Sequence, residues 1–187
     1  VCIITRMSLV FPVSKKGSRM PVITDGWHLR SSGKFHYGID AMYRRLANEP
    51  ALNTPWSTKN YIAFPNTPIL AAHAGKVTAA EYIGTGGRVR IVGGGLETAY
   101  MHLTNLAVKV GQVVAAGTVL GAMGENPKES GDPVHLHFEL SKDGERVDPE
   151  PFLKDPIYLN RYIFGGSLII LLGVAIYLGY KIAYDKA

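Results

Sequence analysis

The sequence predicts a mainly β domain followed by one transmembrane helix, and two observations predict this architecture. The 187 residues include 21 Gly and 11 Pro without a collagen period, as expected of a chain with many tight turns. Positions 162–180 hold 19 consecutive residues without a charge. Hydrophobic residues make up 47% of the chain and charged residues 19%, which excludes a disordered protein. The single cysteine, Cys2, excludes a disulfide framework and a cysteine-rich zinc cluster.

Short alternating or β-branched runs predict the strands of the domain. They lie at 9–13, 77–82, 88–92, 106–110 and 134–140, and glycine-rich turns separate several of them. One short helix is predicted around 41–47. The stretch 48–68 is rich in Pro, Asn and Thr and predicts a long surface loop, a candidate wall of a binding cleft.

The uncharged run YIFGGSLIILLGVAIYLGY predicts a membrane anchor. A helix of this length reaches about 28 Å, which is enough to cross a bilayer core. An amphipathic helix of a soluble domain would have polar residues along one face, and no such residues interrupt this run. Tyrosines cluster towards its two ends like an aromatic belt. We therefore expect a linker at 154–161, a helix in the lipid bilayer at 162–181 and a short tail at 182–187. The basic residues on the two sides balance, so charge does not set the orientation.

Residues 1–6 are interpreted as a leader or a translation artefact, because the chain opens with Val1 and a plausible start follows Met7. No signal peptide, with a basic segment followed by an apolar one, is recognised before Met7. The folded domain is expected at 7–153. The net charge of +5 is scattered along the chain. It suits a membrane or a cell-wall polymer as partner and is too small to indicate nucleic acid.

Four of the six histidines fall in the segments FHYGID, YMHL and HLHF. Residues two apart in a strand share a face, so His135 and His137 are expected side by side. The even spacing of His36 and Asp40 puts both on one side of an extended segment. With His137 they would form a His₂Asp set that leaves one position open, which is the arrangement of a catalytic zinc site. His28 and His73 are interpreted as ordinary hydrogen-bonded histidines.

The order of these motifs resembles the lysostaphin-type (LytM-like) zinc metallopeptidases. The resemblance rests on DGWHLR, FHYGID, ILAAHAGKV, GRVRIVGGGLETAYMHL, VKVGQVVAAGTVLGAMG, HLHFEL and VDPEPFL, and it extends over residues 11–153. It implies an antiparallel β-sheet groove of the duplicated-hybrid-motif kind. It also implies a metalloendopeptidase that hydrolyses cross-bridge or stem peptide bonds of bacterial peptidoglycan.

The resemblance further implies a role for each residue that matches the family motifs. His36, Asp40 and His137 correspond to the ligands of one Zn²⁺ per chain. His102 and His135 correspond to the catalytic pair, which takes a proton from water and stabilises the oxyanion. All five positions are filled, whereas members of the family that act as regulators have lost ligands.

The chain departs from the family pattern in two places. About 20 residues are inserted at 42–66, where the family passes quickly to the A-x-x-G-x-V strand. ESGDPVHLHFE replaces the usual approach to the last motif, although Gly131 and Pro133 keep its turn chemistry. One rival hypothesis is a biotinyl or lipoyl carrier domain, but such a domain needs a Met-Lys pair that the hairpin near Lys109 lacks. The other is a membrane-anchored scaffold of the same fold that has no catalytic activity.

An anchor without an export signal would leave the enzyme facing away from peptidoglycan. One hypothesis is a bacteriophage whose internal membrane carries the enzyme in the virion, where other membrane or capsid proteins are its neighbours. The competing hypothesis is a hydrolase of the bacterial cell envelope.

Overall fold

The structure is a computed structural model, and it describes residues 8–153 other than 48, 50–56, 65, 85 and 125–132. The chain divides into two compact units, Val1–Leu153 and Lys154–Ala187. The predicted leader, linker, membrane helix at 162–181 and tail therefore lie outside the described residues. Within the part that is described, no helix is long and apolar enough to cross a bilayer.

The described residues of the first unit form short strands joined by turns, with one 3-10 helix at Glu150–Phe152. The strands are β1 (Pro21–Asp25), β2 (His28–Leu29), β3 (Phe35–His36), β4 (Ile39–Arg44), β5 (Tyr61–Ile62), β6 (Pro68–Leu70), β7 (Gly75–Ile83), β8 (Gly86–Gly93), β9 (Leu96–Thr104), β10 (Val113–Val114), β11 (Val119–Met123), β12 (Leu136–Lys142) and β13 (Glu145–Val147).

Eleven of these strands form one sheet whose main path runs β1–β4–β12–β9–β8–β7–β10. β11 joins β6 to β9, β13 extends β12, and β5 pairs with β4. β2 and β3 form a separate two-stranded hairpin. Every pair of strands is antiparallel among the described residues, which confirms the mainly β, antiparallel class.

Alternation of side chains explains how the central strands divide between core and site. In β12, Leu136, Phe138 and Leu140 are fully buried, whereas His137 and Glu139 between them point to the other face. The buried apolar side chains of the unit form one core cluster. The strands predicted at 77–82 and 88–92 are confirmed, and the one predicted at 134–140 is confirmed from its third residue onward.

The helix predicted around 41–47 is wrong, because residues 39–44 form strand β4. Its first five residues are all buried, and β1 and β12 pair with it on its two sides. A strand buried on both faces gives a continuous apolar run that periodicity cannot separate from a buried helix. Pairing with distant strands overrides the helix propensity of this segment.

Two of the predicted strands do not form ladders. At 106–110 no strand is present, and Leu106 and Val108 pack partly buried against the core instead. Within 9–13 only isolated bridges form, from Leu9 to Leu153 and from Val13 to Ile69. Apolar residues in both segments contribute burial, which does not require ladder hydrogen bonds.

The segment 42–66, predicted as an insertion, begins as a strand and not as a loop, because residues 42–44 belong to β4. β5 returns to pair with Tyr43 and Arg44, and Arg19 donates two hydrogen bonds to Glu49 at 2.7 and 3.0 Å. These contacts fasten both ends of the segment to the domain. Its position along a cleft depends on residues 50–56, which lie outside the described residues, so that role stays a prediction.

Candidate metal centre

His36 and Asp40 reach a common point from two different sheets. His36 ends β3 in the small hairpin, and Asp40 lies in β4 of the large sheet. The chain between them passes so close to β12 that a Cβ on Gly38 would lie 2.6 Å from the carbonyl oxygen of Phe138. Glycine is therefore required at this approach. His36 Nε2 lies 3.2 Å from Asp40 Oδ1.

His137 completes the group through the strand register. It is the direct partner of Asp40 in the ladder between β12 and β4, so the two side chains stand next to each other on one face. His137 Nδ1 lies 2.8 Å from Asp40 Oδ1 and 3.0 Å from His36 Nε2. His36 and Asp40 are buried, and His137 is partly exposed.

His135 joins the group from just before β12. Its Nδ1 donates to the Pro133 carbonyl at 2.6 Å, because that oxygen can only accept. In the neutral ring the lone pair is then on Nε2, which lies 3.5 Å from Asp40 Oδ1. The expectation that His135 and His137 share a face is confirmed, since both reach the same carboxylate oxygen.

A bulge in β9 turns His102 towards the same point. Met101 and His102 together oppose the single residue Arg88 of β8. His102 has a φ of 63°, a left-handed conformation that costs a non-glycine residue energy and that concentrates at functional sites. A bulge re-aims the side chains that it carries. The His102 ring stands edge-on to His135 with centroids 4.8 Å apart, and 6.2 Å from His137.

The electrostatics of the group favour a carboxylate beside a protonated imidazole when no metal is bound. Burial opposes the charge on Asp40, but hydrogen bonds from His137 and His36 outweigh it and hold the pKa of that carboxyl well below its ordinary value. Burial likewise opposes the charge on His137. Hydrogen bonds to Asp40 and Glu139 outweigh it and raise the pKa of His137 to about 9.

The three residues predicted as ligands fit a zinc ion in chemistry and in spacing. Two imidazoles and a carboxylate are ligands that zinc accepts, and the ligand atoms of His36, Asp40 and His137 all lie within 4.8 Å of one another. Tetrahedral bonds of about 2.0 Å place ligand atoms about 3.3 Å apart. The observed separations of 2.8, 3.0 and 3.2 Å are close to that value.

Sequence reasoning missed the residues that hold the ligands from behind. The Gly26 carbonyl accepts from His36 Nδ1 at 2.6 Å, and Glu139 Oε1 lies 3.4 Å from His137 Nε2. Arg30 contacts both Asp25 and Asp40. The motifs DGWHLR and HLHFEL contain all four of these supporting residues, but nothing in their spacing indicates which atoms meet.

The two histidines interpreted as ordinary differ in their surroundings. His73 is buried and contacts the Thr98 hydroxyl at 3.0 Å and the Ala74 carbonyl at 2.9 Å, as a core histidine would. His28 is exposed and pairs with His36 across the hairpin. With Asp25 and His36 it forms a second group spaced for a metal, but His36 Nδ1 there already faces the Gly26 carbonyl.

Comparison with known protein families identifies the family of this chain. Residues 55–149 match peptidase family M23. The chain belongs to peptidase family M23. The matched range includes His102, His135 and His137, whereas His36 and Asp40 precede it. The resemblance to the lysostaphin-type enzymes is thereby confirmed at the level of the family.

Individual relatives of the M23 chain include enzymes and a sporulation protein. Lysostaphin of Staphylococcus staphylolyticus is 34% identical over 137 residues, 68% of this chain and 24% of that protein. Stage II sporulation protein Q of Bacillus subtilis is 35% identical over 63 residues, 34% of this chain and 22% of that protein. The chain thus spans less than a quarter of the length of these two relatives.

Solved structures agree with the M23 fold. The SpoIIQ–SpoIIIAH pore-forming complex contains a chain that superposes with a TM-score of 0.60 at 20% identity, covering 84% of this chain and 98% of that one. The catalytic domain of lysostaphin from Staphylococcus simulans gives a TM-score of 0.51 at 24% identity, covering 73% of this chain and 92% of that one. At these identities the likeness establishes the fold alone.

Proposed function

We propose that the protein is a zinc metalloendopeptidase that hydrolyses peptide bonds of bacterial peptidoglycan. The observation that carries the proposal is the convergence of His36, His135 and His137 on a single carboxylate oxygen of Asp40, with the His102 ring against His135. Relatives named lysostaphin and glycyl-glycine endopeptidase support the choice of substrate class.

The ligand set supports the metal assignment. His36, Asp40 and His137 would hold one Zn²⁺ and leave a position open for water or substrate. When bound, zinc supplies Lewis-acid polarisation of the scissile carbonyl and makes water more acidic. His137 can serve as a ligand through Nδ1 while Nε2–H donates to Glu139, since that tautomer leaves a lone pair facing Asp40 and His36.

The two remaining histidines divide the proton chemistry. Because Nδ1 of His135 donates to the Pro133 carbonyl, its Nε2 is the acceptor that takes a proton from the attacking water. The water oxygen bonds to the carbonyl carbon, and His102 stabilises the resulting oxyanion by donating a hydrogen bond. The C–N bond then breaks, and the proton held by His135 passes to the departing amine.

A digestion experiment tests this function. The full chain, purified in mild detergent, is incubated with purified peptidoglycan of several wall types, with chelator and after zinc is restored, and released fragments are identified by mass spectrometry. We expect zinc-dependent appearance of new amino and carboxyl termini, lost in His135→Ala and retained in the control Lys109→Ala, which changes an exposed side chain outside both histidine groups. Intact peptidoglycan from every wall type, with zinc bound to the chain, would reject the peptidase.

A scaffold of the same fold is the second candidate. It is favoured by the likeness to a chain of the SpoIIQ–SpoIIIAH pore-forming complex, in which an M23-like domain binds a protein partner. The discriminating variant is His137→Ala. A scaffold would keep its biological role after this change, whereas a peptidase would lose it.

Membrane attachment through 162–181 belongs to the same proposal. The uncharged run in this range is long enough to cross a bilayer. It would hold the enzyme either in the internal membrane of a bacteriophage virion, beside other virion proteins, or in a bacterial envelope. Detecting the chain in purified virions supports the first location. Finding it in the bacterial envelope with its domain outside, and in no virion, supports the second.

A further inference from the structure

We infer that Arg30 is a positioning residue that makes Asp40 present one oxygen, Oδ1, to the proposed zinc site. This inference rests on the proposed function, because it concerns how one ligand of that site is held. The Arg30 guanidinium bridges two carboxylates, Asp25 and Asp40, from the outer side of the group.

The contacts of Asp40 divide its two oxygens between two tasks. Oδ2 accepts a hydrogen bond from Arg30 Nη2 at 2.9 Å. Oδ1 faces the imidazoles of His36 and His137, at 3.2 and 2.8 Å. The hydrogen bond from Arg30 holds Oδ2 on the side away from the imidazoles, so Oδ1 is the oxygen presented to an ion. Asp40 is therefore prepared to bind with a single oxygen, which keeps the fourth position of a tetrahedral site open.

Arg30 is itself fixed by the chain around it. Its Nε and Nη2 donate to Asp25 Oδ2 at 2.9 and 2.7 Å, so Asp25 at the end of β1 orients the guanidinium plane. Its backbone N–H donates to the Lys34 carbonyl, and its carbonyl accepts from the Gly33 N–H, both at 2.9 Å, which close the turn of the β2–β3 hairpin. The side chain is thus held at both its base and its tip.

The same bridge supports a second ligand. Asp25 Oδ2, which accepts from Arg30, also lies 3.4 Å from His36 Nδ1. The ring nitrogen opposite to it, Nε2, is the one that faces Asp40. One guanidinium therefore links the outer supports of two ligands that come from different sheets, the hairpin and the large sheet. Outer-shell partners of this kind typically change metal affinity 10- to 100-fold.

A lysine at position 30 could not reproduce this arrangement. The planar guanidinium offers several donors in a fixed fork, whereas an ammonium is a point charge on a flexible stem. The competing interpretation is an ordinary surface ion pair, since the Arg30 side chain is 40% exposed. The Asp40 side chain is only 10% exposed, however, so the contact is made to a buried partner rather than between two solvated groups.

The test measures metal binding and coordination, not activity alone. Arg30→Met removes the donors and the charge but keeps the stem, Arg30→Lys keeps the charge, and Arg19→Met is the matched control because Arg19 makes a two-nitrogen contact with Glu49. The full chains are stripped of metal and titrated with zinc against a chromophoric chelator. They are then loaded with Co²⁺, whose visible absorption is intense in four-coordinate sites and weak in higher-coordinate ones.

In Arg30→Met we expect a zinc Kd that rises about 10- to 100-fold and a weaker Co²⁺ band, because Asp40 becomes free to bind with both oxygens. Arg30→Lys should fall between this variant and the wild type, and Arg19→Met should match the wild type. If Arg30→Met does not fold, Arg30→Lys decides the question, with an expected rise in Kd that is smaller and a Co²⁺ band that is weaker than in the wild type.

An unchanged Kd and an unchanged Co²⁺ band in the folded Arg30 variants would overturn the inference and leave the proposed function intact. A wild-type chain that binds no zinc would overturn the proposed function and the inference together.

Discussion

Replacing Gly38 with alanine tests whether the close approach of 36–40 to β12 positions the metal ligands. A Cβ at this residue would lie 2.6 Å from the Phe138 carbonyl oxygen and 3.0 Å from Cε1 and Nε2 of His137. Ordinary contact begins at 3.4 Å, and the nearest obstacle is backbone, so the two segments must separate. The separation would lengthen the 2.8 Å contact between His137 and Asp40.

The cost follows from the geometry of this clash. Overpacking against a rigid neighbour costs about 1–3 kcal/mol of the free energy of unfolding. For a domain of this size, each kcal/mol lowers the melting temperature by about 2–4 °C, so we expect Gly38→Ala to melt about 2–12 °C lower. We also expect zinc affinity to fall at least about tenfold, since displacing the supports of a ligand costs that much or more.

The assay compares Gly38→Ala with Gly84→Ala in the full chain. A Cβ on Gly84 meets nothing within 4 Å, so this control should be neutral or stabilised by up to about 1 kcal/mol. Thermal unfolding in the presence of chelator measures stability, and competition with a chromophoric chelator measures the zinc Kd. Equal melting temperatures and equal Kd values in the two variants would refute the reasoning.

Three further outcomes follow from other contacts. His135→Ala should lower peptidoglycan hydrolysis about 10²- to 10⁴-fold while zinc remains bound, because it removes the proton acceptor and no ligand; turnover and metal content are measured together. Burial lowers the pKa of His73 below its ordinary 6.5. The neutral ring therefore contributes to the free energy of unfolding above about pH 6.5, and this contribution is lost as the pH falls towards the pKa of His73 in the folded protein. We expect the difference in free energy of unfolding between the wild type and His73→Gln, measured by denaturant titration, to become smaller as the pH is lowered. Tyr100→Phe should cost about 1–3 kcal/mol in the same titrations, because the buried Ala72 N–H that donates to the Tyr100 hydroxyl at 2.7 Å loses its acceptor.

Each of these has a result that would contradict it. Loss of bound zinc in His135→Ala would make that residue a ligand. A gap for His73→Gln that widens in acid would mean that the protonated ring is the stabilising form. An unchanged stability of Tyr100→Phe would mean that the Ala72 N–H finds another acceptor.

The sequence predicted the β class and the residues of the candidate site, but it did not predict the backbone arrangement that brings those residues together. Even spacing suggested that His36 and Asp40 lie along one extended segment. In the structure they belong to different sheets, and the turn at Gly38 brings them together. The expectation of proximity is confirmed, although the reason differs from the one that spacing suggested.

The segment at 39–44 could not be assigned from its own residues. Ala41 and Met42 are compatible with a helix, and the apolar run has no clear period. Pairing with β1 and β12 made it a strand, and those partners are about 20 and 95 residues away in the chain. Local propensity cannot report partners at such distances.

The sequence by itself determined the β class, the family and the identity of the five clustered residues, because alternation and motif order are properties of neighbouring residues. The tertiary structure decided the register that sets Asp40 opposite His137, and the left-handed bulge that aims His102. It also decided the contacts of Arg30 and Glu139 behind the ligands. These depend on the relative placement of strands that are distant in the chain, which packing and hydrogen bonding set only when the whole sheet forms.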